Sequence, residues 1–400
     1  MVGMRRSAES AAGTLYAGLS DVRRELAAAD ASTLATQMAI AHVPAPTGSE
    51  DRRAAFVADC FRAKGLAPDR DDAGNVIARL GDQAGAPVLV LSHLDTVFPA
   101  DAPITIERSG ARWIGPGVSD NARGLAAMLA IAGALRGTAS RFRRRLEFVA
   151  TAGEEGLGDL RGARHALDRS DRPHAVVALD GAGSDRIVTT GLGARRFRIA
   201  FNGPGGHSWS AGGVANAIHA ATRLATGIAD LRATAGNEMR LAVTRIGGGH
   251  AVNAVPEHAW LEVDLRSADE HTLVRVEREV REQAEAAARI ENEARSGGPA
   301  LALRIERIGA RPAGRTAPDS NLVALAAAVT TLAGGKPELA AASTDANAAM
   351  AIGVPAVAIG AGGRAGDTHT TREWYENAGG SAGLARAMTL IASLALLDAD

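Results

Sequence analysis

The chain has 400 residues and a formal net charge of −1, from 44 Lys+Arg and 45 Asp+Glu. That balance leaves no basic surplus to attract nucleic acid or an anionic membrane, so neither is expected as a partner. With 46% apolar and 22% charged residues the composition is that of a globular protein, long enough for two or three domains or one large domain with an insertion. A single cysteine, Cys60, excludes an internal disulfide, a thiolate zinc site and an iron–sulfur cluster. Its apolar helical surroundings (54–61) read as those of a buried structural thiol. The first 20 residues hold no apolar run of signal-peptide length, and no stretch reaches the roughly 18 apolar residues of a membrane span, so the expected location is the cytoplasm.

Apolar residues at helical spacing predict a helix over 15–40. A loop follows at 42–48 (HVPAPTG), then a helix over 50–64. Residues 87–92 (PVLVLS) form a short continuous apolar run, the signature of a strand buried on both faces. An Ala/Leu-rich helix over 121–135, a strand over 145–150, a helix over 160–168 and a strand over 174–179 come next. Such alternation predicts an α/β domain with a mostly parallel sheet, whose functional residues gather past the carboxyl ends of the strands. The basic run 141–145 lacks interleaved aromatics and reads as a solvated lead-in to its strand.

From about residue 191 the pattern changes. Strand 195–201, helix 213–231, strands 238–245 and 258–265, a helix over 267–294 opened by a capping box from Ser267 to Glu270, and strand 301–308 spell β-α-β-β-α-β. This is the ferredoxin-like unit. After Pro312 the α/β pattern resumes with helices 321–332 and 346–352, strand 355–359 and helix 381–397. The expected organisation is one α/β domain (1–190 and 311–400) interrupted by a smaller module (191–310).

Acidic and histidine residues recur just past the predicted strand ends: His93-Leu94-Asp95 after PVLVLS, Asp120 in the glycine-rich GPGVSDN, Glu154-Glu155 after RLEFVA, Asp180 after HAVVAL, and Asp367-Thr368-His369 after PAVAI and a glycine loop. Carboxylates crowded at one sheet edge repel each other unless cations neutralise them. Two imidazoles and three carboxylates without a thiolate suit a dinuclear zinc site. His93 and Asp95 are two apart, which places Asp95 to hydrogen-bond the far nitrogen of His93 and fix its tautomer. Glu154 and Glu155 are adjacent and point different ways, so one can bind metal while the other acts as general base. There is no G-x-S-x-G elbow (GHSWS lacks the last glycine), no phosphate loop and no dinucleotide fingerprint, so serine hydrolase, kinase and dehydrogenase readings have no support.

The ordered series HLDTV, GPGVSDN, AGEEG, a strand-end acid, GGHS, NAVPEHAWLEVDLRS, STDAN and GDTH, from about residue 40 to the end of the chain, resembles the dinuclear zinc exopeptidase/deacylase family. That family includes carboxypeptidase G, peptidase T, aminoacylase, acetylornithine deacetylase and succinyl-diaminopimelate desuccinylase. The resemblance implies a zinc-exopeptidase-like catalytic domain interrupted by a ferredoxin-like lid through which the protein forms a homodimer. It implies two Zn2+ per subunit, with Co2+ or Mn2+ as substitutes, held by His93, Asp120, Glu155, Asp180 and His369. Asp120 bridges the ions and precedes a cis peptide bond, Asp95 orients His93, and Glu154 is the general base. His207 reaches the active site of the second subunit, and Asn253 and Arg266 hold the substrate. The other histidines lack such context, apart from His250 in a glycine-rich loop, which stays open.

The implied reaction is hydrolysis of an amide bond in a small peptide or an N-acyl amino acid. At the fourth ligand position this chain has Asp180 followed by Gly181, which resembles the aminopeptidase and dipeptidase branch; glutamate is commoner there in the carboxypeptidase and desuccinylase branch. The expected activity is therefore a di- or tripeptide exopeptidase of aminopeptidase type, with deacylation of N-acyl amino acids as the alternative.

Overall fold

The computed structural model describes residues 2–170, 172–234 and 239–397, with side chains from residue 9 and none at 233–234. The chain divides into two compact units, residues 1–191 with 314–400, and residues 192–313. Among the described residues no helix is long and apolar enough to cross a membrane.

The first unit is built on a nine-stranded sheet. At its centre the strand Val88–His93 is buried at all six positions and pairs in parallel with Leu146–Thr151 on one side and Ala175–Leu179 on the other. Ala175–Leu179 pairs in parallel with Ala356–Ile359. These are the continuous apolar runs of the sequence, and they are continuous because both faces are covered. One face packs against the helices Ala122–Leu135 and Gly380–Leu396, with Leu125, Leu129, Met388 and Ile391 in the shared core. The other packs against Arg161–Arg169 and Ala346–Ala351.

The sheet is mixed toward its edges. Val76–Leu80 runs antiparallel to Leu146–Thr151, and Arg186–Gly191 antiparallel to Ala356–Ile359. Neither of these two strands is among the predicted ones. The helix expected over 15–40 is three helices, Val2–Gly18, Ser20–Ala28 and Asp30–Ala41. The chain turns at Leu19 and Ala29, and those turns let Ala12, Leu19, Leu26 and Met38 enter one apolar cluster. Cys60 is half-buried rather than buried, and burial raises its thiol pKa. Four short strands, Glu107–Ser109, Arg112–Ile114, Arg364–Gly366 and Trp374–Glu376, form a separate antiparallel sheet with no counterpart in the sequence reading.

The second unit has a four-stranded antiparallel sheet in which Met239–Gly248, His258–Ser267, Gly193–Asn202 and Ala302–Arg311 lie in that order. With the helices Ala217–Thr234 and Glu270–Ala294 the chain order is β-α-β-β-α-β. Residue 238, expected to open a strand, lies outside the described residues. The long helix begins at Glu270, three residues later than its capping box predicts. Ser267 is still in its strand and accepts the Asp269 amide, while Asp269 caps the helix by accepting from the Thr272 amide at 2.8 Å.

Phe148, wholly buried between the central strands and the helices, is predicted to cost about 3–5 kcal/mol of stability as Phe148→Ala. Ile352→Ala, at a position 57% exposed, is expected to change it by no more than about 0.5 kcal/mol. Urea unfolding followed by circular dichroism measures both.

Candidate metal centre

Parallel strands end together, so the residues that follow them meet at one edge. His93 is the last residue of its strand and is buried. Its Nδ1 lies 3.0 Å from the backbone carbonyl oxygen of Asp95, which fixes the ring and turns Nε2 outward. The Asp95 carboxylate is 3.7 Å from that nitrogen and is engaged elsewhere. Its Oδ1 accepts the Glu154 amide at 2.9 Å, and its Oδ2 accepts the Glu155 amide at 2.8 Å and the Thr47 hydroxyl at 2.9 Å. Asp95 thus holds the imidazole through its main chain and the Glu154–Glu155 turn through its side chain. That division of labour differs from the side-chain contact expected from spacing.

Asp120 precedes the helix Ala122–Leu135, and the Asp120–Asn121 peptide is cis. Asn121 caps that helix and ties three segments together. Its amide nitrogen donates to the Leu179 carbonyl and the Ser92 hydroxyl, and its oxygen accepts from the amides of Gly124 and Gly181. Asp120 Oδ1 lies 2.9 Å from His93 Nε2, and Oδ2 lies 3.3 Å from His369 Nε2. His369 Nε2 is also 2.8 Å from Glu155 Oε1. One carboxylate therefore faces an imidazole with each of its oxygens. Ligand atoms of His93, Asp120 and Glu155 all lie within 4.8 Å of one another.

The electrostatics follow from this crowding. Burial alone would lower the His93 pKa, but the close approach of Asp120 and the nearby Glu154 and Asp180 hold it well above its ordinary value. Burial would raise Asp120, yet the two imidazoles hold it below the carboxylate range. Asp180 is pushed up to about 7, by burial first and then by the Asp120 carboxylate. His369, half-exposed, is raised to about 10 by its bonds to Asp120 and Glu155.

The donor set fits a divalent metal pair: oxygen and nitrogen donors only, converging from four segments, with one carboxylate between two imidazoles. Asp180 stands at the same edge, after its strand, with its amide bonded to the Ile359 carbonyl at 3.0 Å. Glu154 is buried.

His207, Asn253 and Arg266 belong to the other unit. His207 lies on a two-stranded ribbon, where it pairs with Ala254, and Asn253 directly precedes that strand, its carbonyl accepting from the Ser208 amide at 2.9 Å. Arg266 stands apart on the strand His258–Ser267, exposed and paired with Asp264 at 2.7 Å.

Two residues at the centre were not singled out from the sequence. Arg53 is fully buried, donates to the carbonyls of Val43 and Leu94, and sets a positive charge near Asp95 and Glu373. Glu373 is fully buried, with its carboxylate on the backbone of the Asp120 loop. Its pKa is raised to about 7 by burial first. A glutamate four residues after a candidate ligand histidine was the available signal.

With fold and site in place, comparison with known proteins is specific. The model of Peptidase family M20/M25/M40 matches residues 89–396. The chain belongs to that family of metal-dependent peptide and amide hydrolases, whose members carry a dinuclear metal site. It is 28% identical to the succinyl-diaminopimelate desuccinylase of Paracoccus denitrificans over 262 residues, which cover 60% of this chain and 68% of that one. Another curated relative is matched over 59% of its length, so the chain spans less than two thirds of that protein. Among solved structures it resembles aminopeptidase PepT of Bacillus cereus (TM-score 0.69, 21% identity, 91% of this chain and 98% of that one). It also resembles a dinuclear metal-binding peptidase of the same family from Bacillus subtilis (TM-score 0.65, 16% identity, 92% and 97%).

The shifted groups predict how the metal-free protein responds to pH. Asp180 is raised from 3.8 to about 7, so its contribution to stability is complete below pH 3.8 and lost as pH rises through about 7. The His369 contribution is complete below pH 6.5 and lost as pH rises through about 10. Asp120, depressed, acts only below its ordinary 3.8. In a chelator, Tm is expected to fall from pH 4 to 10. Asp180→Asn should make the limb below pH 7 shallower without abolishing it, because Glu373, also raised to about 7, contributes there. His369→Gln should do the same above pH 7, where His93 contributes the remainder, as read by differential scanning fluorimetry.

Proposed function

We propose that this chain is a dinuclear zinc exopeptidase of aminopeptidase type, cleaving the amide bond of di- and tripeptides. The observation that carries the reading is the Asp120 carboxylate, with one oxygen 2.9 Å from His93 Nε2 and the other 3.3 Å from His369 Nε2, beside the buried Glu154. His93, Asp120, Glu155, Asp180 and His369 would hold the two ions. When bound, such ions polarise the scissile carbonyl and make water acidic enough to attack near neutral pH. Glu154, held by its backbone to Asp95, takes the proton of the attacking water and returns it to the leaving amine. Unit 1–191 with 314–400 is the catalytic domain, and unit 192–313 the lid through which two copies pair. His207 serves the oxyanion in the site of a second copy, and Asn253 and Arg266 take the substrate's backbone or carboxylate.

Asp180-Gly181 supports the aminopeptidase side of the reading. A second reading, deacylation of an N-acyl amino acid, is favoured by the identity to the desuccinylase.

A mass-spectrometric panel of free-amine di- and tripeptides beside N-acetyl, N-succinyl and N-formyl amino acids separates the two. Cleavage of the free-amine peptides is expected; cleavage of the N-acyl compounds alone would move the assignment to deacylase. Glu154→Gln should lower kcat about 100- to 10,000-fold with metal content unchanged, as measured by plasma mass spectrometry. His207→Ala should lower kcat about 100- to 1,000-fold while sedimentation shows an intact dimer. A monomer with full activity would overturn that role.

A further inference from the structure

The segment 115–120 carries Asp120 and has no regular secondary structure of its own to hold it. Its amides terminate on a residue more than 250 positions away. Glu373 Oε1 accepts from Ser119 at 2.7 Å and from Asp120 at 2.8 Å, Oε2 accepts from Gly117 at 3.1 Å, and the Glu373 main-chain carbonyl accepts from Gly115 at 2.8 Å. Gly117 has φ +70°, and a Cβ there would meet the Thr96 methyl at 3.0 Å, so this turn of the segment favours glycine. The Glu373 amide in turn donates to the Thr370 carbonyl at 3.1 Å, in the segment that carries His369. The strands Arg112–Ile114 and Trp374–Glu376, which pair Ile114 with Trp374, lock the two segments side by side. His369 thus meets the Asp120 side chain while Glu373, four residues on, grips the Asp120 main chain.

We infer that Glu373 is a positioning residue for the metal centre: its carboxylate fixes the 115–120 backbone so that Asp120 presents one oxygen toward His93 and the other toward His369. The inference rests on the metal-site reading above. A carboxylate is suited to the task because it only accepts, and it offers lone pairs to three amides at once. Glutamine retains one such oxygen, enough for the Ser119 and Asp120 amides, but turns a donor toward Gly117. Alanine leaves three buried amides without an acceptor.

The test is calorimetric titration of zinc into metal-free wild type, Glu373→Gln and Glu373→Ala, with the visible spectrum of the Co2+ forms as a second readout. Val329→Ala, in the distant helix Asn321–Leu332, serves as a control that lowers Tm without touching the centre. Glu373→Ala is expected to bind at least one ion about 10- to 100-fold more weakly, with an altered Co2+ spectrum. Glu373→Gln should lie between it and wild type, and Val329→Ala should bind as wild type does. Wild-type affinity and spectrum in both Glu373 variants would overturn the inference alone. If Glu373→Ala does not fold, Glu373→Gln decides. Wild type binding fewer than two ions would overturn the metal-site reading and this inference with it.

Discussion

The constraint on which this structure depends is the cost of gathering negative charge in a dry place. Asp95, Asp120, Glu154, Glu155, Asp180 and Glu373 stand around one edge of one sheet, most of them buried. Unpaired, such groups would ionise poorly and push one another apart. The fold answers with three kinds of compensation. Imidazoles from His93 and His369 face the acids that point inward. The Arg53 guanidinium sits beneath Asp95 and Glu373 and is buried so completely that its own pKa falls to about 10. Backbone amides satisfy those acids that do not face the centre, namely Asp95 and Glu373.

This division sorts the carboxylates by role. An acid saturated with amide donors has few lone pairs left for a cation, and it becomes a strut. An acid that meets only imidazole keeps its oxygens available at the point where the side chains converge. Asp95 and Asp120 illustrate the contrast. Both are aspartates at the same sheet edge, but one is bound up with the Glu154–Glu155 turn and Thr47, while the other faces two rings. The environment assigns the work, and the residue type only permits it.

Much of this was legible in the sequence, for a physical reason. Strands such as Val88–His93 are buried on both faces and so must be continuously apolar, and the residue that ends such a run lies at the functional edge. His93, Asp120, Glu155, Asp180 and His369 are singled out that way or through the motif series. What was hidden depended on long-range pairing. The small antiparallel sheet is made of three-residue strands whose residues, the buried Tyr375 apart, are exposed or half-exposed, too short to carry an alternating pattern. Glu373 reads as a surface charge in TTREWYE until the amides it serves, more than 250 residues earlier, are brought to it. Arg53 similarly reads as one more polar residue on a helix, although among the described residues it is one of the largest side chains to be fully buried. The turn at Ala29 has no glycine or proline beside it and leaves no local trace, whereas Gly18 directly precedes the turn at Leu19 and is the available signal for that break.

The way the second unit is spliced into the first has a consequence for the host sheet. The first unit leaves its sheet at Gly191 and resumes at Gly314, and these two residues are direct antiparallel partners, with Thr190 opposite Arg315. The junction therefore has the geometry of a hairpin whose turn has been replaced by an entire folded module. Modules of any length can be exchanged at such a stitch without disturbing the register of the host, because entrance and exit already lie side by side. The host sheet can thus keep its register, and with it the segments that carry His93, Asp120 and His369, whatever module is inserted there.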